Sequence, residues 1–67
     1  MGLQINRIKA VLYENNRTNR WLADMLDKNE ATVSRWCTNE VQPPVVTFYQ
    51  IAKLLDIDIR ELFNKTK

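Results

Sequence analysis

The stretch NRWLADMLDKNEATVSRW, from Asn19 to Trp36, decides the fold of this chain. Its apolar residues recur at helical spacing in two segments of about two turns each, and a short polar break separates them. Asn29 stands where a helix N-cap is expected, and Glu30 follows in the first turn, where the helix dipole favours a carboxylate. The stretch therefore predicts two short amphipathic helices joined by a tight turn, and the second has an open polar face.

The sequence on either side of this pair is also helical in its periodicity. The chain of 67 residues has one glycine and two prolines, and Pro43 and Pro44 predict a loop over 40–44. Helices of two turns are not stable alone, so the central pair must pack against its neighbours. We therefore expect one all-α domain over 1–67, a compact bundle of five short helices. The expected helices cover about 3–15, 19–26, 30–38, 45–55 and 59–64, with a helix-turn-helix at about 18–38.

Polar residues mark the expected ends of these helices. Thr18, Asn29 and Asp58 are N-cap candidates, and Asn15–Asn16 and Asn39 can adopt the left-handed conformation that ends a helix. The apolar residues at helical spacing between these boundaries form the expected core. They are Ile5, Ile8, Val11, Leu12, Leu22, Ala23, Leu26, Val33, Trp36, Phe48, Ile51, Ala52, Leu55, Ile59, Leu62 and Phe63.

Composition excludes several classes of function. Cys37 is the single cysteine, so no disulfide can form within the chain, and a lone thiol suits a reducing compartment. The absence of histidine excludes His-based zinc sites and catalytic triads. No apolar run approaches the roughly 20 residues of a membrane span, and the N-terminus lacks a secretory signal. We expect a cytoplasmic protein that is not an enzyme and has no catalytic residue, cofactor or metal.

The predicted helix over 30–38 has a polar face suited to DNA. If Val33 points to the core, a rotation of about 100° per residue places a polar cluster on the opposite side. Small side chains let a helix approach base edges in the major groove, and Arg35 can donate two hydrogen bonds to a guanine. Ser34 and Ala31 can contact bases or a thymine methyl group, and Glu30 can accept from a cytosine or repel a wrong partner. The candidate base contacts are Glu30, Ala31, Ser34 and Arg35.

Candidate phosphate contacts lie on both sides of this face. Asn19 offers its amide beside a helix N-terminus, which favours anions. The candidates are Arg17, Asn19, Arg20 and Lys28 near the second helix, and Thr38 and Asn39 at the far end of the third. The net charge of +2 neither demands nor forbids nucleic acid, so basic groups would have to be concentrated on one face.

Each of these side chains also has a structural interpretation. Arg35 can be a solvated charge, and the phosphate candidates can be helix caps or solvent-exposed residues. Trp36 shares a side with Val33 and is expected in the core. Trp21 can pack on a neighbouring helix or against a sugar-phosphate backbone, and Cys37 is expected to be a small buried hydrophobe.

With these residues in place, the chain resembles the phage-repressor or Cro-like helix-turn-helix family, also called Xre-type. Leu22-Ala23, Leu26 and the run Thr32–Trp36 match the family pattern, and QPPVVTFYQIAKLLDIDIRELF resembles its fourth and fifth helices. The resemblance implies the lambda-repressor-like fold and binding of double-stranded DNA, with Asn19 on phosphate and the third helix on bases. It also implies a homodimer on palindromic half-sites, and either a repressor or the antitoxin partner of a toxin.

The chain departs from the family pattern at several positions. Asp27 and Asn39 stand where glycine is usual, Lys28 replaces an apolar residue, and Asn19 replaces a longer glutamine. Aspartate tolerates the left-handed conformation better than most residues, so the turn at Asp27 is retained at some cost. Together with Asp24 and Glu30, Asp27 brings negative charge near the expected DNA-binding face.

Two hypotheses from different classes follow. The first is a sequence-specific DNA-binding regulator, a repressor that reads the major groove with its third helix. The second is a protein-interaction module, such as an antitoxin, that uses the same fold with little or no DNA binding. The salt dependence of binding separates them, because contacts to several phosphates weaken steeply as salt rises.

Overall fold

Residues 3–66, the part of the chain that the computed structural model describes, form four α-helices and a terminal 3₁₀ helix. The prediction of an all-α helical fold is confirmed. Helices α2 and α3 form the helix-turn-helix and lie within a residue of their predicted bounds. The helices are α1 (Ile8–Glu14), α2 (Asn19–Leu26), α3 (Glu30–Cys37) and α4 (Val45–Leu55), and the 3₁₀ helix covers Ile59–Leu62.

The prediction that the first helix begins at Leu3 is wrong, because residues 3–7 are not helical. Asn6 and Phe63 instead form an antiparallel β-bridge. The N–H of Arg7 donates to the carbonyl of Leu62 at 2.9 Å, and the N–H of Asn64 donates to the carbonyl of Ile5 at 2.9 Å. Pairing with a distant segment has therefore overridden the local periodicity. As a result, Ile5 is 42% exposed, and the prediction that it belongs to the core is wrong.

The same pairing shortens the last helix. It is a 3₁₀ turn that ends at Leu62, not an α-helix that continues to Asn64. Asp58 caps it as predicted, since its Oδ1 accepts from the N–H of Arg60 at 2.8 Å. Phe63 then takes an extended conformation, which allows it to pair with Asn6.

Four residues in the left-handed region follow helices, and none of them is glycine. Asn16, Asp27, Asn39 and Asp56 have φ angles of 57°, 55°, 63° and 55°. Asparagine and aspartate enter this region more readily than other residues with a side chain. The turn after α2 is closed by a bond from Lys28 N–H to Ala23 O at 2.8 Å. Asp27 and Asp56 thus replace the usual glycine C-cap with the same geometry.

Asn39 has a second role, at the centre of an amide cluster formed by Asn6 and Asn39, which are buried, and Gln42, which is partly buried. Its Oδ1 accepts from the N–H groups of Ile5 and Asn6, at 2.9 and 2.8 Å, and from Gln42 Nε2 at 3.0 Å. Its Nδ2 donates to the carbonyl of Asn6 at 3.0 Å. Asn6 Nδ2 in turn donates to Trp36 O at 3.0 Å and to Gln42 Oε1 at 2.7 Å. The cluster ties the segment before α1 to the end of α3.

The apolar core lies between the helices and contains most of the predicted residues. Leu26, Leu55 and Ile59 are only partly buried and pack against its edge. Phe63 is 37% exposed, but its ring centroid lies 4.5 Å from that of Phe48. The buried core residues are Ile8, Val11, Leu12, Leu22, Ala23, Val33, Trp36, Cys37, Phe48, Ile51, Ala52 and Leu62.

Substitution by glycine should have opposite effects on stability at Asp56, which only ends a helix, and at Asn39, which also belongs to the amide cluster. Asp56→Gly removes only the left-handed cost and should raise the free energy of unfolding by up to about 1 kcal/mol. Asn39→Gly also leaves the buried N–H of Asn6 and the partly buried N–H of Ile5 without an acceptor, so it should lower that free energy by about 2–4 kcal/mol. Urea unfolding measures both. Equal effects of the two substitutions would contradict the role given to the amide cluster.

Candidate nucleic-acid interface

The N-termini of α2 and α3 are both capped by side chains. Thr18 Oγ1 accepts from the N–H of Trp21 at 3.0 Å, and Asn29 Oδ1 accepts from the N–H of Ala31 at 2.7 Å. Each cap satisfies one backbone donor that a helix start leaves without an intrahelical partner. Local sequence therefore fixes where each helix begins, and the turn at Asp27 and Lys28 fixes how the two meet.

Helix α3 presents a polar outer face. Glu30, Ala31, Ser34 and Arg35 are all exposed, and so is Thr38 after them. The opposite side is apolar and closed, since Val33 is fully buried and Trp36 is 4% exposed. The four base-contact candidates thus lie together on one accessible surface, which we call the α3 face.

Arg35 on this face has an acidic neighbour, Glu40, which was not predicted from the sequence. Its Nε lies 3.8 Å from Glu40 Oε2, and the two side chains are 63% and 66% exposed. An ion pair at such exposure contributes little, between about 0 and 1 kcal/mol. The guanidinium can therefore leave Glu40 for a stronger acceptor at small cost.

The phosphate-contact candidates around α2 divide into free and engaged side chains. Arg20 and Lys28 are exposed. Arg17 lies over the ring of Trp21, with its guanidinium carbon 4.6 Å from the centroid. Asn19, the first residue of α2, is half-buried, and its Oδ1 accepts from the thiol of Cys37 at 3.3 Å. Trp21 is thus partly buried against the core and covered by Arg17 on its open side.

The candidates at the end of α3 need revision. Asn39 is 5% exposed, and its amide is committed to the amide cluster, so it has no donor for a phosphate. We assign it a structural role instead. Thr38 is exposed, but its hydroxyl donates to the carbonyl of Arg35 at 3.1 Å, so a phosphate would have to compete for that proton.

Comparison with known proteins identifies the family. The helix-turn-helix family profile matches residues 8–62, which is most of the chain. The chain belongs to the Xre/Cro-like helix-turn-helix family. A similar solved structure is the crystal structure of a "putative DNA-binding protein" from Bacteroides fragilis, which is 52% identical. The match covers 90% of this chain and 97% of that chain, with a TM-score of 0.88. No curated protein matches the sequence significantly.

The structure of this helix-turn-helix domain adds residues that sequence reasoning missed. Lys9 of α1 lies along an open groove that also contains Arg17, Asn19 and Cys37. Its charge is close enough to Cys37 to oppose the effect of burial on the thiol pKa. No local pattern marks Lys9, because its approach to the start of α2 depends on how α1 packs. Three cations, Arg7, Lys9 and Arg17, therefore lie along this groove.

Acidic side chains also lie near the α3 face. Asp24 of α2, Asp27 of the turn and Glu30 of α3 are all exposed. The helix-turn-helix therefore carries mixed charge, with Arg17 and Arg20 near the start of α2, Lys28 in the turn and Arg35 on α3. None of the helices between residues 3 and 66 has the length and apolar character that a membrane span requires.

The helix caps can be tested without a ligand. Thr18→Ala removes the acceptor for the N–H of Trp21 and should lower the free energy of unfolding by about 0.5–2 kcal/mol. Thr38→Ala is the matched control, because this exposed threonine does not cap a helix N-terminus, and its effect should stay within about 0.5 kcal/mol. Thermal or urea unfolding compares the two. A loss at Thr38 as large as that at Thr18 would contradict the capping assignment.

Proposed function

We propose that this domain is a sequence-specific DNA-binding transcriptional regulator, a repressor, that places α3 in the major groove. The observation that carries the proposal is the exposed α3 face beside the positively charged start of α2. Family membership and the similarity to the Bacteroides fragilis protein described as DNA-binding support it. In helix-turn-helix proteins, the second helix of the motif enters the major groove while the first crosses the phosphate backbone.

Base contacts are proposed for the four side chains of the α3 face. Arg35 is the strongest, because its guanidinium matches the two acceptors of guanine in the major groove. Ser34 can donate to or accept from a base edge, and the methyl group of Ala31 can contact a thymine methyl. Glu30 can accept from the amino group of cytosine, and its charge would select against sites that bring a phosphate close.

Phosphate contacts are proposed for the start of α2 and the turn that follows it. Asn19 adds a side-chain donor to the exposed N–H groups of the helix N-terminus. Arg17, Arg20 and Lys28 supply positive charge, and Arg17 keeps its place over Trp21. Thr38 is retained as a weaker candidate, because its proton already has an acceptor.

We propose that the regulator acts in the cytoplasm as a homodimer on palindromic sites. Two copies of α3 about 34 Å apart would fit successive turns of the major groove on one side of the duplex. Exposed apolar side chains are available for self-association. They include Leu3, Tyr13, Val45, Val46 and Tyr49, which are 78%, 84%, 80%, 62% and 55% exposed.

The alternative is a protein-interaction module, such as an antitoxin that binds a toxin. The observation that favours it is the acidic character around the α3 face, from Asp24, Asp27 and Glu30, in a chain with a net charge of only +2. These carboxylates would repel a DNA phosphate, whereas a protein partner has no phosphate backbone to repel.

Selection of bound duplexes from a random pool tests the proposal directly. Enrichment of a pseudo-palindrome would support a dimeric regulator and give the half-site spacing. Titration with salt on the selected site then separates the two candidates. Contacts to several phosphates require the logarithm of the binding constant to fall steeply and linearly with the logarithm of salt concentration. Failure to enrich any sequence, with no binding to duplex DNA even at low salt, would reject DNA binding.

Arg35→Ala should weaken binding to the selected site by about 1–3 kcal/mol and relax the preference at one base pair. Arg60→Ala is the matched control, since Arg60 is exposed on the 3₁₀ helix, outside the helix-turn-helix, and pairs with Asp58 at 2.9 Å. Fluorescence anisotropy on selected and random duplexes measures both variants. An equal loss on the two duplexes would remove Arg35 from the base contacts.

Asp27→Asn should strengthen DNA binding by about two- to fivefold at low salt, because it removes a negative charge from the turn between α2 and α3. Asparagine keeps the tolerance for the left-handed conformation, so stability should hardly change. Asp56→Asn makes the same change in net charge at the same backbone geometry, but at the end of α4. Identical gains from the two variants would mean that only total charge matters.

A further inference from the structure

A hydrogen bond joins the start of α2 to the end of α3. Cys37, the last residue of α3, lies with its Sγ 3.3 Å from Oδ1 of Asn19, the first residue of α2. Cys37 is buried at 8% exposure, and Asn19 is half-buried beside it. The contact is long-range in sequence, so it depends on how the two helices cross.

The thiol can hold the Asn19 carboxamide in one orientation. A neutral thiol has one S–H donor and only a weak acceptor, so it pairs best with the carboxamide oxygen. The reversed amide would direct its NH₂ at the weak acceptor and leave the S–H without an oxygen. With the oxygen bound to Cys37, the NH₂ end is left to face away from α3.

The thiol keeps its proton at neutral pH, which this contact requires. Burial raises the pKa of Cys37, and the nearby charge of Lys9 acts in the opposite direction but is the smaller influence. The thiolate, which could accept but not donate, is therefore disfavoured. The same burial makes Cys37 a poor nucleophile, so its thiol is better suited to a structural contact than to chemistry.

We infer that Cys37 is a positioning residue that fixes the Asn19 carboxamide with its NH₂ directed outward, ready to donate to a DNA phosphate. That the acceptor is a DNA phosphate rests on the proposed function. The orientation of the Asn19 carboxamide rests only on its hydrogen bond with Cys37. Through this bond the end of the base-reading helix sets the geometry of a phosphate contact on the helix before it, so the two kinds of contact are aligned before DNA arrives.

The orientation can be tested without DNA by NMR relaxation of side-chain NH₂ groups. In the unsubstituted protein the NH₂ of Asn19 should be ordered, and in Cys37→Ala it should become markedly more mobile. Asn64 is the internal reference, because its Nδ2 donates to the carbonyls of Gln4 and Asn6 and its orientation does not depend on the thiol. An Asn19 amide that is equally ordered in both proteins would overturn the inference.

The consequence for binding can be tested on a random-sequence duplex at low salt, where phosphate contacts dominate. Cys37→Ala and Asn19→Ala should each weaken binding by about two- to tenfold, the range expected for one hydrogen bond. The double variant should lose no more than Asn19→Ala alone, because Cys37 acts through Asn19. Cys37→Ser, which keeps a donor, should bind more tightly than Cys37→Ala.

The outcomes separate the inference from the proposed function. Additive losses in the double variant would overturn the positioning role, since a general loss of stability would not act through Asn19. Unfolding curves of each variant confirm that the protein measured is folded. If the unsubstituted protein binds no duplex, the proposed function fails, and the NMR comparison still decides whether Cys37 orients Asn19.

Discussion

The amide cluster around Asn39 is the constraint on which the placement of α3 depends. Asn39 follows α3 in a left-handed conformation, and its Oδ1 accepts hydrogen bonds from the N–H groups of Ile5 and Asn6. Asn6 Nδ2 donates to the carbonyl of Trp36 in α3, and Asn6 Oδ1 accepts from the N–H of Ile8 at the start of α1. One cluster thus ends one helix, begins another and holds the two together.

This arrangement separates the parts that hold the domain from the parts that face outward. Within the described part of the chain, every buried side-chain nitrogen and oxygen has a hydrogen-bond partner. The charged side chains lie at the surface, where a ligand can replace their present ion-pair partners at little cost in free energy. Arg35 illustrates this, since its contact with Glu40 is long and solvated. The rigid scaffold therefore presents a surface whose electrostatics can change without disturbing the fold.

The sequence predicted the central part of the fold well because its signals are local. Thr18 and Asn29 cap α2 and α3, two prolines precede α4, and helical periodicity sorted Val33 and Trp36 from the exposed α3 face. The same methods failed at both ends of the domain. Residues 5–7 and 62–64 pair with one another across the whole chain, and no pattern within either segment shows that pairing.

The candidate site shows the same limit. Periodicity places Glu30, Ala31, Ser34 and Arg35 on one side of a helix, so that surface was predictable. The burial of Asn39, the approach of Lys9 and the contact between Cys37 and Asn19 arise where separate elements meet. Asn39 was expected to be both a helix terminator and a phosphate contact, and its amide cannot serve both purposes because the first role encloses it.

The chemistry of the amide cluster has one more consequence. Asparagine and glutamine carry no charge and do not titrate, so the bonds that orient α3 are the same in mild acid, mild alkali, dilute buffer or brine. Changes of pH and salt concentration act instead on the charged side chains at the surface and, in alkali, on the buried thiol of Cys37. A change in ligand affinity with pH or salt would report on those groups, because the amide cluster has nothing to titrate.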